Sequence, residues 1–246
     1  MVYYIYMGSV ILILLVFFTN LCHAKPLTAE SWLVTDENYQ VIAGENIDQV
    51  RPIASITKLI TAITVIDSGI DLSETIVTKK FGKITRSNLL DMAIIKSNND
   101  AARILCETYP GGYDLCIADM NRTLNRLEMK SSIVYDSVGL DNRNKSTGLD
   151  LIKLLDASEH YPEIVSASQK TGIRVKIRKK WIFFNNTNPL IGRRHDIIVS
   201  KTGFTNPAGG CLVMLMSTDK GKRAVVVLGS KNTHTRIPEA DFIANM

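Results

Sequence analysis

Ser55-Ile56-Thr57-Lys58 sets a hydroxyl and an amine three residues apart, at the head of an apolar stretch from Leu59 to Ile66 that Ser68-Gly69 closes. Glycine just past an apolar run is a usual helix stop. The spacing predicts Ser55 at the first turn of a buried helix, with Lys58 on the same face. A serine is a weak nucleophile until a base takes its proton. Lysine can be that base only when neutral, and burial and the positive helix end both disfavour its charged form. The same helix start offers backbone N–H groups to a developing oxyanion. An exposed lysine on an ordinary helix is the bland alternative, and these four residues alone do not exclude it.

Two further motifs bear on the choice. Ser97-Asn98-Asn99 lies where one predicted helix ends and the next begins, and Lys201-Thr202-Gly203 closes a predicted strand. Alone, the first reads as a helix cap and the second as a strand end. In this order and these contexts, the three match the signature set of penicillin-recognising serine enzymes. Arg51-Pro52-Ile53-Ala54 ahead of Ser55, Tyr109-Pro110-Gly111-Gly112-Tyr113, Val138-Gly139-Leu140 and Phe204-Thr205-Asn206 extend the match. On these residues the chain resembles the low-molecular-mass penicillin-binding proteins from about residue 30 to residue 240, and most closely their D-alanyl-D-alanine endopeptidase branch.

The resemblance implies a serine DD-peptidase that hydrolyses peptidoglycan cross-links through an acyl-enzyme, with D-alanyl-D-alanine carboxypeptidase as the alternative. It implies peptidoglycan stem peptides as substrate and β-lactams as covalent inhibitors. Ser55 would be the nucleophile, Lys58 its base and Ser97 a relay between Lys58 and the leaving amine. Asn99 would orient Lys58 and the substrate backbone. Lys201 and Thr202 would meet a substrate carboxylate. Gly203 would let substrate lie along the strand edge, and the N–H groups of Ser55 and Phe204 would form the oxyanion hole. Strict strand alternation sets Lys201 and Thr202 on opposite faces, so their joint role requires twist or an end position. Asn98 stands where the family often has Asp, and its side chain is expected to point away from the chemistry.

These residues need elements to hold them. Strands are predicted at Ser31 to Thr35 and Gln40 to Ala43, helices from Ser55 to about Tyr161, and strands again at Ile197 to Thr202, Cys211 to Ser217 and Ala224 to Leu228, with a short helix after Pro238. The helical stretch divides into Thr85 to Lys96, Asn99 to Thr108, Tyr113 to Leu127 and Thr147 to Ser158. Strands at both ends imply an α/β (α+β) fold: one antiparallel sheet made from both termini, with a helical lobe inserted between. The resemblance gives this the serine β-lactamase/DD-peptidase-like fold.

The chain has 246 residues, a net charge of +5 and a pI near 9.0, which suits one catalytic domain of two lobes and mildly favours anionic partners. Met1 to Ala24 carries no Asp, Glu, Lys or Arg and reads as a signal peptide, with an uncleaved anchor as the competing reading. Either sends residues 25 to 246 out of the cytoplasm, to the periplasm or beyond. Neither an accessory β-rich domain nor a basic amphipathic C-terminal anchor of the kind many carboxypeptidase relatives carry is expected from the sequence, in keeping with the endopeptidase branch.

Beyond residue 24, Cys106 and Cys116 could pair, and Cys211 reads as a buried hydrophobe. His23, His160, His195 and His234 show no metal-ligand spacing, so neither metal nor cofactor is expected. The basic run Arg174 to Lys180 reads as a solvated loop or hairpin, or as a weak dock for membrane or wall polymer. Nucleic acid is not expected for an exported enzyme. A β-lactamase would need a carboxylate to activate water, for which Glu159 and Glu163 are the candidates, and a silent cell-wall binding module would retain only the fold.

Overall fold

The computed structural model describes residues 27–194 and 196–246, so Met1 to Ala24 and His195 lie outside the described residues. The chain opens with β1 (Ser31–Thr35), β2 (Val41–Glu45) and the short β3 (Arg51–Pro52). A single 3₁₀ turn, Ala54–Ile56, then runs straight into α1 (Thr57–Asp67). Ser55 therefore sits in a tight turn that leads the helix. The hairpin β4 (Thr75–Thr78) and β5 (Gly82–Thr85) precedes α2 (Arg86–Ile95), α3 (Asn99–Glu107) and α4 (Gly112–Arg126). β6 (Lys145–Ser146) pairs with β3, and α5 (Gly148–Ser158) and α6 (Pro162–Gln169) follow. A second hairpin, β7 (Gly172–Ile177) and β8 (Lys180–Asn185), leads to β9 (Ile197–Thr205), β10 (Gly209–Thr218), β11 (Gly221–Ser230) and α7 (Arg236–Ala244).

The main sheet has the order β2-β1-β11-β10-β9, antiparallel throughout, so both chain ends build it and β9 forms one edge. Its inner strands are apolar on both faces. Along β10, Cys211, Val213 and Leu215 join the core shared with the helices, while Leu212, Met214 and Met216 join the core beneath α7. Period-two alternation thus feeds two hydrophobic layers at once. α1 is buried from Thr57 to Val65 and runs through the centre of the helical layer. Thr85, Asn98 and Thr147 cap α2, α3 and α5 with side-chain oxygens. Asn98 is thus occupied in capping α3, its Oδ1 accepting from Ala101 N at 2.9 Å.

Several expectations need adjustment. The β4–β5 hairpin interrupts the stretch read as helical, because its strands are too short and polar to show a period. The strand expected to end at Thr202 continues to Thr205, because Gly203, Phe204 and Thr205 pair with Cys211, Gly210 and Gly209. α7 starts at Arg236, two residues before Pro238. Cys106 and Cys116 form a disulfide between α3 and α4, and Cys211 is a buried free thiol.

Candidate active site

The lead-in to α1 fixes Ser55 beside Lys58. Lys58 Nζ donates to Ser55 Oγ at 2.8 Å, to Asn99 Oδ1 at 2.8 Å and to the Val138 carbonyl at 2.6 Å. Its side chain is fully buried, and burial pulls its pKa down from 10.5 to about 7, with only the Asp136 carboxylate pulling the other way. An amine poised near neutrality against a hydroxyl can accept that proton. Ser55 N, near the start of the 3₁₀ turn, is one of the helix-start donors without an internal partner. Ala54 holds φ at 47°, a left-handed conformation that is costly for a residue with a Cβ.

Ser97 and Asn99 flank the cap of α3 and point to different lysines. Asn99 accepts from Lys58. Ser97, also left-handed at φ 57°, accepts from Lys201 Nζ at 2.9 Å. In the resting site the turn aims the Ser97 hydroxyl at Lys201 on β9. Lys201 Nζ also donates to the Thr202 carbonyl at 2.8 Å. Lys201 is fully buried, and burial first, then the Lys58 and Arg236 cations, lowers its pKa well below the usual lysine range.

β9 resolves the tension over alternation. Lys201 and Gly203 pair with Val213 and Cys211 and share the face toward the nucleophile segment. Thr202 pairs with Leu212 on the other face, where its hydroxyl donates to Thr187 Oγ1 at 2.7 Å. Since β9 is an edge strand, groups from both faces can meet at its free margin. A Cβ on Gly203 would lie 2.9 Å from Ser55 N and 3.1 Å from the Ile53 carbonyl, so only glycine permits this approach. Phe204, the next residue, is exposed on the same edge.

Four neighbours were given no role from the sequence, although Val138 lies in one of the matched motifs. Val138 supplies the third acceptor for Lys58. Asp136 holds that loop: its carboxylate accepts from the backbone N–H of Val138, Gly139, Leu140 and Asp141 and from Asn144 Nδ2, at 2.5 to 3.1 Å. Thr187 meets Thr202. Buried Arg236 donates Nη1 to the Gly203 carbonyl at 2.5 Å. An Asp followed closely by Gly is a turn signal that hints at the first two; the others are long-range contacts with no local pattern.

One of the carboxylates considered for water activation lies elsewhere. Glu159 accepts from Lys222 Nζ at 2.6 Å, where β11 begins, whereas Ser55 packs on Gly203 at the far end of β9. Among the described residues, Asp156, Glu159 and His160 bring their ligand atoms within 4.8 Å of one another at that same distant corner.

Comparison with known proteins agrees with this arrangement. Residues 19–232 match the peptidase family described as D-alanyl-D-alanine carboxypeptidase, peptidase S11. A D-alanyl-D-alanine endopeptidase of Pseudomonas aeruginosa is 36% identical over 88% of this chain and 76% of its own length. One of Escherichia coli is 35% identical over 87% of this chain and 75% of its own length. The fold superimposes on penicillin-binding protein D2 of Listeria monocytogenes, solved with cefotaxime bound, with a TM-score of 0.81 at 23% identity over 89% of this chain and 97% of that one. With Ser55, Lys58, Ser97, Asn99 and Lys201-Thr202-Gly203 gathered at one sheet edge, the chain belongs to the D-alanyl-D-alanine carboxypeptidase family of serine peptidases.

Proposed function

We propose that this protein is a D-alanyl-D-alanine endopeptidase that cleaves peptide cross-links of peptidoglycan, with Ser55 as nucleophile. The 2.8 Å contact between Ser55 Oγ and the buried Lys58 amine carries the reading. Lys58 takes the Ser55 proton as Oγ attacks the carbonyl between the two D-residues. The N–H groups of Ser55 and Phe204 receive the oxyanion. Ser97 relays the proton taken up by Lys58 to the leaving amine, which restores the neutral Lys58 for deacylation, while Lys201 holds the Ser97 hydroxyl in place. Asn99 fixes Lys58 and binds the substrate backbone along β9. Thr202 presents its hydroxyl to the substrate carboxylate, and Lys201 contributes through Thr202 and Ser97, since its own ammonium is buried. Water then hydrolyses the acyl-enzyme.

Residues 25 to 246 form the catalytic domain, with the sheet and the helical layer as two lobes on either side of the site. Residues 1 to 24 act as an export signal, so the enzyme works in the periplasm or outside the cytoplasm. No helix of the described residues is long and apolar enough to cross a membrane. β-Lactams acylate Ser55, as the drug-bound relative suggests for this site. Trimming of terminal D-alanine is the second reading, favoured by the family description. The deciding experiment is digestion of purified cross-linked and monomeric muropeptides. Loss of dimers ahead of free D-alanine from monomeric pentapeptide is expected, and the reverse order assigns the protein as a carboxypeptidase. A stable fluorescent-penicillin label is expected on the native chain and none on Ser55→Ala; an adduct on that variant refutes the nucleophile.

A further inference from the structure

The β7–β8 hairpin carries a surface that the chemistry at Ser55 does not use. Its register sets Arg174 opposite Phe183 and Lys176 opposite Trp181. Period-two alternation puts these four on one face, while Ile173 and Val175 fill the other and join the core. The outer face is thus a checkerboard of two cations and two aromatic rings. Trp181 is 57% and Phe183 59% exposed, although rings of this size normally find cover. The Arg174 guanidinium lies 5.2 Å from the centre of the Trp181 ring. Among the described residues none of these cations, nor Arg178 or Lys179 in the turn, is ion-paired with a carboxylate. Packing of the hairpin requires only its inner face. The outer face is therefore free to meet something anionic that also offers apolar ring faces.

We propose that this face is a secondary binding surface for the glycan strands and acidic stem peptides of the polymer whose cross-link lies in the cleft. The inference rests on the peptidoglycan reading above and deepens it. Sugar rings present apolar faces that stack on aromatic side chains, and stem carboxylates pair with the interleaved cations. Strand geometry sets like residues about 7 Å apart along a strand and about 5 Å across, a spacing suited to a chain of rings with charged branches.

Two observations favour polymer over a lipid surface. First, the hairpin is continuous with the cleft. Two residues beyond β8, Thr187 donates its N–H to the Ile95 carbonyl at 3.0 Å and receives the Thr202 hydroxyl. The end of this hairpin is thus held at the strand that carries Lys201-Thr202-Gly203. Second, the turn is not built to enter a bilayer. It is charged rather than apolar, and it is clamped to the β4–β5 hairpin: Arg178 N donates to the Phe81 carbonyl at 3.0 Å and Arg178 Nη2 to the Lys79 carbonyl at 2.9 Å.

The test uses the full chain and two double variants, R174Q with K176Q and W181S with F183S. Both alter exposed groups only, and an unchanged melting temperature verifies the fold. Three quantities are compared: co-sedimentation with purified intact sacculi, co-sedimentation with phosphatidylglycerol vesicles, and turnover of a small soluble cross-linked dimer. Both variants are expected to bind sacculi roughly tenfold more weakly. Dimer turnover should stay within about twofold of the native value, because the small substrate does not extend onto the hairpin. Sacculus binding unchanged in both variants overturns the proposal. So does native binding to vesicles that the variants lose while holding sacculi normally, which assigns the face to lipid. A native enzyme that turns over no dimer, yet binds sacculi through this face, refutes the endopeptidase reading and leaves the surface standing.

Discussion

At the residue scale the site depends on the protonation of Lys58. Its pKa in the fold, about 7, lies far below the usual lysine value because the amine is desolvated. The neutral form is the base, so acylation should rise through pH 7 and level off above it. The sign for stability follows from the same shift. Between the ordinary lysine pKa and about 7 the unfolded chain binds a proton that the fold does not, so this group's contribution to stability falls as pH drops across that window and is constant below it. Asp136 sharpens the test. Its negative charge raises the Lys58 pKa, and its carboxylate holds the Val138 loop against Lys58. D136N should therefore move the lower limb of the kcat/KM profile to more acidic pH. It should also slow acylation by roughly 10- to 100-fold as the loop loosens. A pH–rate profile with a labelled penicillin measures both, and an unmoved limb would show that Asp136 acts through structure alone. Ser55 and Lys58 were legible because i and i+3 on a helix must meet. Asp136 was not, because its partners are backbone N–H groups, which every residue carries.

At the scale of elements the decisive contact is between the 3₁₀ turn and β9. Gly203 lies against Ser55 N, Ala54 and the Ile53 carbonyl with no room for a methyl group. Gly139 shows the same demand: at φ 82°, its Cβ would fall 1.9 Å from the Ala54 carbonyl oxygen. A strand and a loop thus both close on one turn. Gly203→Ala should push β9 away from Ser55, widening the gap between the Ser55 and Phe204 N–H groups. Each misplaced oxyanion donor costs about 3 kcal/mol of transition-state stabilisation. Acylation should therefore drop by roughly a hundredfold or more. Melting should change little, because β9 keeps its pairing with β10. Rates near the native value would mean that the edge strand does not set the oxyanion site. The sequence offered Lys201-Thr202-Gly203 as a motif but ended the strand too soon, since the pairing that extends it comes from Gly209 to Cys211, which no local pattern shows. Ser97 was legible as lying just before α3, but its hydrogen bond to Lys201 was not, because a left-handed backbone redirects a side chain without leaving a trace in residue type.

At the scale of the molecule, both chain ends meet in one sheet, and α1 threads the core beside it. That architecture was legible because the runs of Val, Leu and Met in β10 and β11 differ plainly from the amphipathic helices before them. The β4–β5 and β7–β8 hairpins were harder to read, since β4 and β5 have only four residues each and β7 alternates its apolar residues with Arg and Lys. The disulfide also belongs to this scale. Cys106 in α3 and Cys116 in α4 are 10 residues apart and close a loop through Pro110-Gly111-Gly112. Closing so short a loop removes unfolded-state entropy worth about 3 kcal/mol. α3 also begins with Asn99, which accepts from Lys58, but the bridge ties its opposite end. Replacing both cysteines by serine should lower the melting temperature by roughly 5–10 °C. Below the transition, the penicillin acylation rate should remain within about twofold, because the cap at Asn98 and the Lys58 contacts are local to the start of α3. Calorimetry and single-turnover labelling of the same preparation measure the two effects. A large loss of rate at full folding would show that the bridge positions Asn99 as well as stabilising the fold.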